Sequence, residues 1–401
     1  MKFVKYLPRF GWEPMVLAAS DPHYWALDNS LGSDIPEHAY IERIPAGGRL
    51  PVGSILPRII GPHRARTITD ILFFPDEKIG WARKAARRGG RLTGRFPIDA
   101  VFSTSPTPSA HIAAGNISRR RNIPWIADFR DLWAGDYRHN TAPPWTTRRR
   151  LEAEGRILHA ADHATCATES FRTTFIERHR LDPRRITAVH NGFDPDDFPG
   201  ASPQKTAPGA GAPVVMIHSG SLYGEGLPER FFSGLARMLT KDTALSGRLV
   251  VRFIGVMDDA IARRIASILG KTARFDGYLA HTDAVEAVRR ADIALLAVPH
   301  RENASLVVHG KLFEYLASGT PVLAAIPGGE AARIVRETGT GAVITEDNPD
   351  AVARVLPGVI DSLLEGGAYC PDRERIEAYS RVCLTERLAH ILNDVTGSGH
   401  A

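Results

Sequence analysis

A lysine and a glutamate three residues apart, Lys311 and Glu314, open the stretch GKLFEYLASGTPVL (residues 310–323). At 100° per residue, Leu312, Phe313, Tyr315 and Leu316 fill one arc while Lys311, Glu314 and Ser318 cluster opposite, which predicts an amphipathic helix. Gly319 suits the left-handed capping position, and Pro321 follows before the next strand. The plain reading of the two charges is a surface i,i+3 ion pair worth about 0.2–0.5 kcal/mol. The chemical reading is that this helix follows the apolar strand ADIALLAV (291–298) through the loop PHRENASLVVHG, which places its first turn at the carboxyl edge of a sheet. A carboxylate there can accept both hydroxyls of a ribose, and a lysine can neutralise a phosphate near the helix N-terminus. A second cluster, Asp128, Arg130 and Asp131 in IPWIADFRDLW (123–133), reads equally as a structural carboxylate–guanidinium network at a strand end or as a functional group of charges. His111 lies in the loop and helix after the strand AVFSTS. A lone histidine is more often structural, and GSLYGEG (220–226), taken alone, is a turn before it is a phosphate loop.

Positioning such residues requires strand ends. Strand-like runs (MVLAAS, IDAVFSTS, IPWIADF, ITAVHNG) alternate with helix-like runs (SAHIAAGNISRRR, RRRLEAEGRILHAADHA, SFRTTFIERHR) up to residue 199. Residues 200–213, GASPQKTAPGAGAP from Gly200, are rich in Pro, Gly and Ala without apolar period and read as a linker. The alternation then resumes through VVMIHSG, RLVVRFIG, ARFDGYL, ADIALLAV and PVLAAI to residue 373, and a last helix over 374–395 is expected to pack back toward the first domain. Alternating strands and helices predict a doubly wound parallel sheet in each half, with ligands at the carboxyl ends of the strands across a cleft.

The chain's 401 residues, 43% hydrophobic and 24% charged, can bury globular cores and exclude a fibrous or wholly disordered protein. Cys166, Cys370 and Cys383 are too scattered for a zinc site and odd in number, which fits free thiols in a reducing compartment. No apolar run approaches the ~20 residues of a spanning helix. Residues 1–200 carry 29 Lys+Arg against 22 Asp+Glu, and the remainder 21 against 23. The densest basic run, Arg83, Lys84, Arg87, Arg88, Arg91 and Arg95, has helical spacing. It reads as a solvated helix face first and an anionic membrane surface second. Nucleic acid is not expected, since no recognition motif accompanies the charge.

With FDGYLAHTDAVEAVRRADIALL (275–296), HNGFDPDDF (190–198), STSPTPSAH (103–111) and IPWIADFRDLW in this order, the sequence resembles glycosyltransferase family 4, retaining nucleotide-sugar transferases of the GT-B fold. The resemblance implies two Rossmann-like domains facing a cleft: an acceptor-side domain (1–199), the linker (200–213), a nucleotide-sugar-binding domain (214–373) and the C-terminal helix (374–395). It implies a nucleoside diphosphate sugar donor and a hydroxyl acceptor on a glycan or lipid-linked glycan, with envelope polysaccharide or glycolipid as product. The implied location is cytoplasmic and peripheral on the inner membrane face, with no cofactor and no metal. Glu314 matches the ribose-binding glutamate. Lys311, Gly220, Arg230, Arg301, Gly277 and Tyr278 are the remaining candidates for binding the nucleotide sugar. Arg130, which stands where the family keeps a histidine, Asp131 and His111 are the candidates nearest the chemistry. Two departures are visible. Leu306 stands where many members have a sugar-contacting glutamate, and Gly226 where an arginine for the diphosphate is usual, so Arg230, Lys311 or Arg301 must compensate.

Family members also begin with a buried strand and a Gly-rich loop ahead of the stretch that here reads KFVKYLPRFGWEP. The natural start is therefore expected upstream by about 20–30 residues. Two rivals share the fold: a nucleotide-sugar 2-epimerase, for which no acid/base set can be placed, and a catalytically silent binding protein, which the residues at 130, 226 and 306 keep open.

Overall fold

The computed structural model describes residues 2–20, 32, 34–46, 73–134, 144–200, 208–209, 211–222, 224, 226–367 and 369–397. Most of the expected linker, and Tyr223 and Glu225 of the GSLYGEG run, lie outside the described residues. The chain forms two compact units. Unit 1 comprises Met1–Leu27, Asp34–His190 and Thr385–Ala401, and unit 2 comprises Asp28–Ser33 and Asn191–Leu384.

In unit 1, strands β1 (Met15–Ser20) and β2 (Tyr40–Pro45) form one parallel pair, and β3 (Val101–Thr104), β4 (Trp125–Phe129), β5 (His163–Cys166) and β6 (Ile186–Ala188) form a four-stranded parallel sheet in that order. The helices are α1 (Lys2–Tyr6), α2 (Ile79–Leu92), α3 (Ser109–Arg121), α4 (Pro144–Ala160) and α5 (Glu169–His179). Where one sheet was expected, the described residues carry two, and α2 packs between β1 and α3. At Gly89 of α2 an added Cβ would sit 2.3 Å from Ile117 of α3 and 3.3 Å from Leu17 of β1. The helix buries Trp81, Ala82, Ala85, Ala86 and Leu92 and turns Arg83, Lys84, Arg87, Arg88 and Arg91 outward. Five of the six residues of the basic run therefore occupy a helix face as their spacing predicted, while Arg95 lies beyond the helix end at Leu92.

Unit 2 holds six parallel strands: β7 (Val214–Ser219), β8 (Leu249–Ile254), β9 (Ala273–Gly277), β10 (Ile293–Ala297), β11 (Val322–Ala325) and β12 (Gly341–Ile344). Their order in the sheet is β12-β11-β10-β7-β8-β9. Its helices are α6 (Glu229–Lys241), α7 (Thr243–Ser246), α8 (Asp259–Leu269), α9 (His281–Arg290), α10 (Gly310–Ser318), α11 (Gly329–Glu337), α12 (Pro349–Leu364) and α13 (Arg373–Glu377), and α14 (Arg381–Thr396) ends the chain's helices. Successive strand residues feed opposite cores, because side chains alternate across a sheet. Met216, Val251 and Leu295 pack with Phe232, Ile265 and Leu356 on one face. Ile217, Ala294 and Val322 pack with Leu312, Tyr315 and Ala332 on the other. Burial on both faces explains why β10 and β11 read as continuous apolar runs.

Three strands escaped the sequence reading, among them β5, whose first residues His163 and Ala164 were read as the end of a helix that in fact stops at Ala160. YIERIP of β2 is half exposed and carries two charges, and GAVI of β12 is short and opens on glycine. Residues 191–199 group with unit 2, before the expected linker. Phe193 N–H donates to the Tyr379 carbonyl at 3.2 Å and Arg381 N–H to the Phe193 carbonyl at 2.7 Å. Gly192 permits this approach, since a Cβ there would stand 2.2 Å from the Tyr379 oxygen.

Candidate functional site

The strand order of unit 2 reverses at β7, whose neighbours β10 and β8 lead away in opposite directions, so the carboxyl ends of β7 and β10 form a topological switch point. Four residues the sequence set apart in the chain meet there. His218, the fifth residue of β7, points its ring into the sheet and is 1% exposed. Its Nδ1 lies 3.2 Å from the carbonyl oxygen of Leu295 on β10. A carbonyl only accepts, so Nδ1 carries the hydrogen and Nε2 is left as an acceptor. Lys311, in the first turn of α10, donates to that Nε2 at 3.1 Å. The lysine tip lies against Gly220, where φ is +120° and an added Cβ would stand 2.7 Å from Nζ. Tyr315, one turn further along α10, ties the helix to β7 by accepting from Ser219 N–H at 2.8 Å.

These contacts correct the surface ion-pair reading of Lys311 and Glu314. The lysine turns inward to the histidine, and among the described residues no ion pair joins it to Glu314. Burial pulls the Lys311 ammonium down from its ordinary 10.5 to about 8, against the opposing pull of Glu314. Burial first, then the nearby Lys311 charge, holds His218 well below its ordinary value, so the imidazole is neutral. His309, at the entry to α10, is lowered to about 4 for the same two reasons. Glu314 is half-buried on α10. Desolvation raises its pKa, with His281, Lys311 and Arg381 pulling the other way and Asp197 adding to the rise. His281 Nε2 and Asp197 Oδ2 stand 3.0 Å apart. Ser318, expected on the polar arc, is fully buried and donates to the Tyr315 carbonyl at 2.8 Å. Gly319 takes the left-handed conformation at φ +77° that the capping argument required.

The remaining candidates of unit 2 are more scattered. Arg230, in the first turn of α6, is 66% exposed and ion-paired with Asp347. Gly277 closes β9 with φ +73°, and the Tyr278 side chain beside it is half exposed. Arg301 lies half-buried in the loop after β10, and Leu306 in the short turn Ala304–Leu306 that leads to α10. Sequence reasoning missed His218 and the Asp197–His281 pair. The signal for His218 was an imidazole directly after the apolar run VVMI, in a strand that is buried along most of its length.

In unit 1, Asp128 near the end of β4 is 1% exposed and accepts from Thr104 at 2.7 Å, Thr165 at 2.8 Å and Arg130 at 3.1 Å. Arg130 also donates to the Val189 carbonyl at 2.8 Å, and its N–H donates to Ser105 Oγ at 3.0 Å. The guanidinium thus helps join the ends of β3, β4, β5 and β6, which is the structural side of the alternative left open above. Asp131 follows it, half-buried. His111, in the first turn of α3, is 1% exposed. Trp125 Nε1–H donates to Ser103 Oγ at 2.8 Å, and the same hydroxyl shares a hydrogen bond with His111 Nδ1 at 2.9 Å. Burial lowers this imidazole to about 4, against the pull of Asp128, so it stays neutral. Among the described residues no group of three His, Cys, Asp or Glu side chains is placed to hold a metal ion.

Comparison with known proteins fits this geometry. Residues 1–197 match the profile of "Glycosyltransferase Family 4" and residues 214–361 that of "Glycosyl transferases group 1". A D-inositol 3-phosphate glycosyltransferase of Catenulispora acidiphila is 27% identical over 265 residues, 61% of this chain and 60% of that protein. With the corresponding enzyme of Streptomyces scabiei the match takes in 49% of the relative, so the matched segments span about half to three-fifths of these curated proteins. Among solved structures, a glycosyltransferase of Rickettsia africae superposes with a TM-score of 0.64 at 12% identity, covering 98% of this chain and 93% of that one. Anabaena Alr3699/HepE in complex with UDP-glucose superposes at 0.62 with 14% identity, covering 98% and 95%. The fold is GT-B, and with both halves of the chain matched in order, the protein belongs to glycosyltransferase family 4.

Proposed function

We propose that the protein transfers a glycosyl group from a nucleoside diphosphate sugar to a hydroxyl acceptor with retention of configuration. The observation that carries this reading is the inward-turned Lys311 at Gly220, beside Glu314, at the switch point of a parallel sheet. Glu314 would receive the ribose hydroxyls. Lys311 would face the diphosphate, in a chain where Gly226 supplies no cation.

The transition state of such a transfer is oxocarbenium-like, and negative charge grows on the departing diphosphate. A half-buried ammonium meets that charge where solvent screens it less than in bulk water. A leaving phosphate oxygen can take the acceptor proton on the face from which it departs, so no protein nucleophile is needed. Arg230 and Arg301 are secondary candidates for the phosphates, and Gly277 and Tyr278 for the nucleoside. In unit 1 the family resemblance makes Asp131, with Arg130 and His111, the candidates for the chemistry.

The structural relative that binds UDP-glucose makes uridine diphosphate sugars the first donors to test. The acceptor named for the curated relatives, D-inositol 3-phosphate, is the first soluble acceptor, and a lipid-linked glycan is the alternative that the outward face of α2 favours. On that alternative the protein works at an anionic membrane surface. No helix among the described residues is long and apolar enough to cross one. Incubation with a panel of nucleoside diphosphate sugars and both acceptors, following released nucleoside diphosphate and the anomeric configuration of the product, tests the proposal. Binding without turnover would favour the silent protein, a change of configuration within the sugar nucleotide the epimerase, and an inverted product would remove the retaining assignment.

A further inference from the structure

The Lys311 ammonium has one hydrogen-bond partner among the described residues, and that partner sits on a different element. We propose that His218 is a positioning residue for the diphosphate: from β7 its Nε2 holds the Lys311 ammonium against the backbone of Gly220, so that an imidazole sets where the phosphate-facing cation stands. The proposal rests on the reading of the switch point as a nucleoside diphosphate site.

Three features support it. The ring is fixed, because its Nδ1–H is committed to the Leu295 carbonyl and its edge packs against Phe253, with ring centroids 6.1 Å apart. The acceptor is uncharged. A carboxylate in its place would form a salt bridge that cancels the ammonium and repels a phosphate, whereas a neutral imidazole orients the ammonium and leaves its charge available. The location is also fitted to the task. Only glycine at 220 leaves space for the lysine tip, since an added Cβ would meet Nζ at 2.7 Å and Cε at 2.9 Å. Gly255 in turn lets β8 approach, since a Cβ there would stand 2.7 Å from the Gly220 carbonyl carbon. The charged and titratable groups around the pair are His309 ahead of α10, Glu314 and Tyr315 on α10, and, facing Glu314, His281, Asp197 and Arg381.

A hydrogen bond accepted from the charged form favours that form, so removing the acceptor should lower the Lys311 pKa further. The test compares wild type, His218→Leu, which removes the acceptor, and His218→Gln, whose amide oxygen can replace it. Binding of UDP and of uridine is measured by calorimetry from pH 7 to 9.5, and the titration of Lys311 is followed without ligand by NMR of 13C-labelled lysine. The expected wild-type behaviour is UDP affinity that declines as pH passes about 8, with uridine affinity flat. His218→Leu should weaken UDP by roughly tenfold or more while uridine stays within about twofold, and should move the Lys311 midpoint to lower pH. His218→Gln should recover most of both. An unchanged UDP-to-uridine ratio and Lys311 midpoint in His218→Leu would overturn the proposal, even if that variant melts earlier, because His218 would then be a packing residue. If wild type binds neither UDP nor uridine, the nucleotide reading of the site falls, and the positioning role falls with it. If wild type binds UDP and only the His218 variants behave as wild type, the nucleotide reading stands and the positioning role alone is lost.

Discussion

Replacing Lys311 with methionine isolates the cost of keeping an ammonium inside unit 2. The fall of its pKa from 10.5 to about 8 means that folding disfavours the charged form. At roughly 1.4 kcal/mol per pKa unit this corresponds to about 3 kcal/mol of lost stability. A lysine whose folded pKa lies below its unfolded one penalises the fold fully below the folded value, where both states are charged. The penalty fades as pH rises through the window from 8 to 10.5, where the unfolded chain still holds the proton, and is absent above it. Lys311→Met also strands the His218 acceptor and changes packing, but those costs do not vary across this window, because burial keeps His218 and His309 neutral throughout. The stability difference between variant and wild type should therefore shift by about 3 kcal/mol in favour of wild type between pH 7 and pH 10.5. Urea unfolding followed by circular dichroism reads this difference. Tryptophan fluorescence supplies an internal control, since all six tryptophans lie between Trp12 and Trp145 and report unit 1. A difference that moves by less than about 1 kcal/mol, or one that appears equally in the fluorescence transition, would refute the reasoning.

Glu314→Gln should weaken nucleoside diphosphate binding by roughly 1.5–3 kcal/mol, the range for a hydrogen bond to a charged group, and leave the urea midpoint of unit 2 in place; calorimetry with UDP decides it, and unchanged affinity removes Glu314 from the ribose. Gly192→Ala should cost unit 2 about 1–3 kcal/mol, because its methyl would have to displace the Tyr379 carbonyl at 2.2 Å and Leu384 at 2.5 Å; the circular-dichroism transition should move while tryptophan fluorescence stays. The outward cations of α2 should bind anionic vesicles at low ionic strength and release them in salt, since exposed charges are screened within about 10 Å at 0.1 M; co-sedimentation of wild type and of an Arg83→Glu, Arg87→Glu, Arg91→Glu variant reads this, and equal binding of the two would point away from α2.

Fold class and most elements were legible from local patterns, although β2, β5 and β12 were not. The apolar runs ADIALLAV and PVLAAI could only be strands covered on both faces, and Leu312, Phe313, Tyr315 and Leu316 could only be the buried side of a helix ending at Gly319. Those assignments depend on local periodicity and backbone freedom, which neighbouring residues fix. The tertiary structure decided where Lys311 points. Helical spacing placed it beside Glu314, three residues away, but its partner is His218, ninety-three residues earlier, brought within 3.1 Å because β7 and β10 pair in the middle of the sheet. The same holds for the partners of Arg130, since the Val189 carbonyl that accepts from its guanidinium lies fifty-nine residues away in the chain. Strand order is set by which apolar faces pack together across the chain, and it is this non-local pairing that turns a lysine on a helix inward onto a histidine.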